Sequence, residues 1–138
     1  MQRDISYLPT VMHAIHKKMM LAHETILEEN KLGKRHIGFI IVIVENNDGL
    51  TQNEICQKLR LDKGHVSRTL RDLESKGFVQ KKGDGTYKHV YIATKKALEV
   101  RKQFKKTNQT ILSKMFDILS KEEFEALEKI LKKLMTAL

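Results

Sequence analysis

The sequence predicts a mainly α-helical fold carrying one small β-hairpin. Three observations predict it. Apolar residues recur at steps of three and four near both ends of the chain, and helix-capping signatures stand at Thr51 and Asp62. Two short strand-like segments flank Gly83-Asp84-Gly85, a strong turn signal.

The elements follow in order. From Tyr7 to about Asn30, the residues Met12, Ile15, Met19, Ala22 and Ile26 keep helical spacing, and Pro9 suits the first turn. Two glycines in "NKLGKRHIG" interrupt the pattern. From about Lys34 to Asn46 the chain is nearly all apolar without alternation, which reads as a helix buried on several sides. Its β-branched run also admits a buried strand. Thr51 and Glu54 match a capping box, and Ile55 and Leu59 give the short helix that follows its inner side. After a brief turn at Arg60 and Leu61, Asp62 is a good N-cap for the next helix, and Gly77 can end it in a left-handed conformation. Val79, and then Val90 and Ile92, sit in the two arms of the hairpin. A long helix is expected from Thr94 to about Leu119. Ser120 and Glu123 repeat the capping pattern before a last stripe of Phe124, Leu127, Leu131, Leu134 and Leu138.

Two short helices joined by a tight turn and followed by a basic hairpin make a winged helix-turn-helix. It spans about residues 34–93, and the flanking helices, about 7–30 and 94–138, are too apolar on one face to stand alone in water. Burying those stripes against a second copy makes them dimerisation helices in a homodimer; contact with another protein is the alternative.

Bulk properties bound the function. At 138 residues the chain is expected to form a single domain, 1–138. Lys and Arg total 26 against 17 Asp and Glu, and the resulting +9 favours a polyanionic partner, although it also serves solubility. A lone cysteine excludes an internal disulfide and suits a reducing compartment. The most apolar run, Ile37 to Val44, is too short to span a bilayer, and no amino-terminal signal pattern is visible. These features lead to the expectation of a cytoplasmic protein with no membrane role. No phosphate loop, nucleophile motif or paired carboxylates points to an enzyme, and no cofactor is called for.

The helix opened by Asp62 carries the sharpest signal. Val66, Leu70 and Leu73 share one face, while Lys63, His65, Ser67, Arg68 and Arg71 occupy the rest of the circumference. A solvated amphipathic helix would look similar. Within a winged helix, however, these residues and Gly64 become candidates for contact with double-stranded DNA, because the major groove admits a helix. Arg68 is the strongest of them, since its planar fork binds guanine or phosphate through two bonds. Lys81, Lys82 and Lys88 on the wing are candidate phosphate contacts.

The order of elements and the segment "LTQNEICQKLRLDKGHVSRTLRDLESKGFVQKK" resemble the MarR family of bacterial transcriptional regulators over essentially the whole chain. The shared pattern is a Thr-capped helix, a recognition helix with hydroxyl-Arg near its middle, and Leu-Glu-x-x-Gly-hydrophobic-Val at its end. "YIATKKA" resembles the family's second strand, with Ala93 and Ala97 in place of the usual residues. The resemblance implies a homodimeric repressor of palindromic operators, released in many members by a small molecule, an oxidant or a metal. Two positions depart from the pattern. Arg60 stands where the turn commonly carries Gly, and Tyr87 falls where the wing usually bears a minor-groove Arg.

The same resemblance implies an effector pocket between the dimerisation helices and the winged helix. His13, His16, Met20 and His23 form a stripe on the first helix, and His36 begins the second. Imidazoles there suit a small anionic aromatic effector or a transition metal; equally, they are polar edges of a dimer seam. No ligand motif supports metal, so no metal site is assigned. Cys56 reads as packing, with redox sensing as the alternative. A winged helix used as a protein-interaction module, in the manner of an antirepressor, is the reading from another class.

Overall fold

The computed structural model describes residues 2–83 and 89–138. Among the described residues, six helices and two strands follow in the order α1 (Tyr7–Glu29), α2 (Lys34–Val44), α3 (Gln52–Leu59), α4 (Lys63–Ser75), β1 (Val79–Lys82), β2 (Val90–Ala93), α5 (Lys95–Phe116) and α6 (Lys121–Met135). The apolar run after Gly33 is a helix, not a strand. It buries Phe39, Ile40 and Ile43, and packs against α3, α5 and β2, so little of its circumference needs to be polar. The long helix α5 ends at Phe116, three residues before the expected Leu119, and α2 ends at Val44.

Local chemistry sets the boundaries. Thr51 Oγ1 accepts from the Glu54 amide, and the Glu54 carboxylate accepts from the Thr51 amide, closing the expected capping box. Asp62 and Thr94 cap α4 and α5 in the same way through one side-chain oxygen each. Ser120 caps α6 by accepting from the Glu123 amide at 3.1 Å. Arg60 takes the left-handed conformation (φ 55°, ψ 46°) that its place in the turn requires, and its amide donates to the Cys56 carbonyl. Gly77, at φ 82°, turns the chain out of α4 and into β1.

The core lies where α2, α3 and α4 meet the hairpin and the first half of α5. Phe39, Ile40, Ile55, Val66, Leu73, Phe78 and Phe104 are wholly buried there. Strands β1 and β2 pair antiparallel with Val79 opposite Ala93 and Lys82 opposite Val90. Leu50 adds a third, single-residue rung by exchanging both backbone hydrogen bonds with Tyr91. The turn residues from Asp84 to Lys88 lie outside the described residues, and with them the expectations placed on Tyr87 and Lys88.

The terminal helices are unequally covered. One face of α1 buries His23, Ile26 and Leu27 against α5, while Tyr7, Leu8, Val11, Met12 and Leu21 are exposed. Helix α6 buries nothing: Phe124, Ile130, Leu131 and Leu134 each keep two fifths or more of their surface in solvent.

The Leu50 rung brings Gly49 hard against β2. Its φ is +91°, and a Cβ there would lie 2.9 Å from Val90 Cβ. Gly49→Ala is therefore expected to lower stability by about 1–3 kcal/mol. Gly38, inside α2, has only Leu59 Cδ2 at 3.6 Å, and Gly38→Ala should hold or raise stability by up to about 1 kcal/mol. Urea denaturation midpoints of the two variants measure the contrast.

Candidate nucleic-acid interface

Helix α4 is fixed by its inner face. Val66, Thr69, Leu70 and Leu73 are buried, so Lys63, Gly64, Arg68 and Arg71 are turned to solvent. Asp62 locks the first turn by accepting from the His65 amide at 2.8 Å. That hydrogen bond holds the Asp62 carboxyl below the usual carboxylate range, helped by the positive charges of His65 and Arg68. Gln52 Nε2 reaches from α3 to the Lys63 carbonyl at 3.3 Å and ties the two helices together where α4 begins.

The cationic residues do not all play the same part. The His65 ring lies parallel to buried Phe39, with centroids 6.3 Å apart, and is half-buried. Arg68 folds back over the first turn. A Cβ on Gly64 would meet Arg68 Nη1 at 3.2 Å and Asp62 Oδ1 at 3.3 Å, so the missing side chain of Gly64 makes room for the guanidinium. Ser67 and Arg71 face the wing across a cleft of about 200 Å³, which Gln52, Glu74, Lys81, His89 and Tyr91 also line. Lys81 pairs with Tyr91 in the hairpin and so faces α4; Lys82, one residue on, is turned to the opposite face.

The structure thus brings Ser67, Arg71 and Lys81 together and leaves Lys82 apart. It adds Gln52 and His89, which sequence reading missed. Gln52 follows the Thr51 cap directly, and a helical wheel of α3 could have shown it on the side facing α4.

The five residues grouped as an effector pocket are not gathered. His13 and His16 are exposed on α1, and Met20 is half-buried. His23 is buried against α5, where its Nε2 donates to Asn108 Oδ1 at 2.7 Å and its ring lies 4.6 Å from that of Phe104. His36 belongs to a different environment. Its Nδ1 accepts from the Gly33 amide at 2.8 Å and its Nε2 donates to Asp72 Oδ2 at 2.8 Å. Helical spacing put His13, His16, Met20 and His23 on one stripe, but only the last of them reaches far enough along α1 to be covered by α5. Among the described residues, no three His, Cys, Asp or Glu side chains converge to hold a metal ion. Cys56 is half-buried and packs against the core.

Burial pushes both His23 and His36 below the ordinary histidine value of 6.5, against the pull of their hydrogen bonds to Asn108 and Asp72. The folded chain therefore takes up these protons at lower pH than the unfolded chain. As pH falls through 6.5 the unfolded state binds more protons, and stability declines. Denaturant midpoints should fall on acidification from neutrality, by at most about 1.4 kcal/mol per pH unit for each histidine. The slope should flatten in His36→Gln. A wild-type chain that gains stability on acidification through this range would contradict the assignment.

The comparisons with known proteins bear on the fold. Residues 35–86 match the family model described as MarR family. Among solved structures, a MarR family protein from Bacillus stearothermophilus superposes with a TM-score of 0.82 at 18% identity, over 96% of this chain and 94% of that one. A mutant of MepR from S. aureus gives a TM-score of 0.77 at 24% identity, over 98% of each chain. A third, from Listeria monocytogenes, is described as a MarR family transcriptional regulator complexed with 26mer DNA. It gives a TM-score of 0.68 at 20% identity, over 99% of this chain and 89% of that one. No curated protein sequence matches the chain. Among the described residues, no helix is long and apolar enough to cross a membrane. The matched segment runs from α2 through β1 and ends before β2, and the superpositions follow the chain almost from end to end. By its central segment this chain is similar to the MarR family, and over nearly its whole length it has the winged-helix fold of the MarR-family structures.

Proposed function

We propose that the chain is a homodimeric transcriptional regulator that reads palindromic DNA with α4 and braces it with the wing. The observation that carries this reading is the outward cationic face of α4, held by a fully buried inner face beside Lys81 of β1. The formal charge of +9 supports a polyanionic partner, and the complex of the Listeria chain with 26mer DNA supports DNA as that partner. In this reading the winged helix, about residues 34–93, is the DNA-binding part, and the helices of about 7–30 and 94–138 form the dimer. The open apolar faces of α1 and α6 support a second copy as their cover. Lys63, Ser67, Arg68 and Arg71 meet the major groove, Lys81 holds phosphate, and the protein works in the cytoplasm as a repressor. Release by a small anionic effector completes the reading, with the scattered histidines supplying no single pocket for it.

Operator affinity should fall steeply with salt, by about 0.9 log unit per log unit of salt for each phosphate neutralised. Fluorescence anisotropy across a salt series measures this, and an affinity indifferent to salt defeats the proposal. Arg68→Ala should cost about 1–3 kcal/mol of discrimination at one base pair, whereas Lys81→Ala should weaken all duplexes alike.

The dimer is tested separately. Leu131 and Leu134 are half-exposed in the single chain, so Leu131→Glu with Leu134→Glu leaves the protomer core untouched. The double variant should sediment as a folded monomer and lose operator binding. A monomer that still protects a full palindrome would remove the role given to α6.

A further inference from the structure

Asp72 and Glu74 are the two acids on the largely cationic helix α4, and Asp72 stands four residues after Arg68 and one after Arg71. Facing phosphates, a carboxylate there weakens binding by repulsion unless it does something else. Three donors converge on its Oδ2: His36 Nε2 at 2.8 Å, Arg35 Nη2 at 3.0 Å and Lys76 Nζ at 3.3 Å. Lys76 Nζ also donates to the Lys31 carbonyl at 2.9 Å. The last turns of α4 are thereby bolted to the α1–α2 junction, from Lys31 to His36.

The partners differ in weight. Arg35 is largely exposed and Lys76 partly so, and ion pairs of that kind contribute little. His36 is 2% exposed, and its geometry is fully specified. Because Nδ1 accepts the Gly33 N–H, the ring proton sits on Nε2, and the neutral imidazole donates to Asp72. Arg35 Nε, 3.4 Å from that same Nε2, is then a contact between two N–H groups and not a hydrogen bond. One buried ring thus caps α2 with one nitrogen and grips α4 with the other.

We propose that His36 and Asp72 are positioning residues for DNA recognition, holding α4 at the angle to the α1–α2 junction at which Arg68 and Arg71 fit the groove. The inference rests on the regulator reading above. It makes a prediction opposite to simple electrostatics: removing the acid lowers affinity for the operator while holding or raising affinity for unrelated duplex.

The test compares wild type with His36→Asn, His36→Gln and Asp72→Ala by anisotropy on an operator duplex and on a scrambled duplex. The amide oxygen of His36→Asn can take the Gly33 N–H in place of Nδ1 but leaves Asp72 out of reach. The amide nitrogen of His36→Gln stands near the Nε2 position and restores the donor. His36→Asn and Asp72→Ala should each lose about tenfold in operator affinity, the worth of one charge-assisted hydrogen bond, with scrambled-duplex affinity held or raised. His36→Gln should recover most of the operator affinity. Operator binding unchanged or tightened in Asp72→Ala overturns the proposal. Asp72 is half-exposed, so that arm stands even where a His36 variant fails to fold.

A wild-type chain that binds neither duplex defeats the regulator reading alone. The clamp is then read without DNA, from ¹⁵N shifts of the His36 ring and amide exchange in the last turn of α4. The ring should show the neutral Nε2–H form, and exchange should quicken in Asp72→Ala. A ring protonated on Nδ1, or exchange unchanged by the substitution, overturns the clamp.

Discussion

Everything at the candidate interface depends on how the inner face of α4 is buried. Val66, Leu70 and Leu73 are at most 1% exposed, and each contributes roughly 1.5–3 kcal/mol by leaving water. A helix held on such a face has only one rotation about its axis that keeps all three buried. That rotation places Lys63, Arg68 and Arg71 outward, so the orientation of the cations is a by-product of core packing. It needs no interaction among the cations themselves, which repel one another.

Rotation is one degree of freedom, and the tilt of α4 needs other restraints. At its first turn, Asp62 closes the cap and Gln52 ties Lys63 to α3. At its last turn, Asp72 binds the first turn of α2 and Lys76 the segment before it, while Phe78 carries the chain into the hairpin. The polar ties sit at the two ends and the apolar face lies between them. Apolar burial supplies most of the free energy but is non-directional; hydrogen bonds supply less and fix geometry.

The two ends of the molecule are built differently from its centre. Half of α1 is covered by α5, whereas α6 has an apolar stripe and no buried residue. Such a helix is marginal alone in water, because most helical stability in proteins comes from packing an amphipathic face. The Ser120 cap, the Glu122 and Glu123 charges at its start and the Lys132 and Lys133 charges at its end each favour it locally. These local terms are small beside the surface that a second chain would bury.

The sequence by itself determined where α3, α4, α5 and α6 start, because capping chemistry is local, and left the run after Gly33 open between helix and strand. Thr51, Asp62, Thr94 and Ser120 each act on a residue three positions away. Spacing likewise determined which side of α4 faces in. What only the tertiary structure decided are the pairings between distant residues. His36 meets Asp72 across 36 positions and His23 meets Asn108 across 85, and periodicity carries no information about either. For the same reason a stripe of histidines looked like one site on a helical wheel. Only His23 of that stripe is buried against α5, because burial is a property of what lies opposite a residue rather than of its neighbours in sequence.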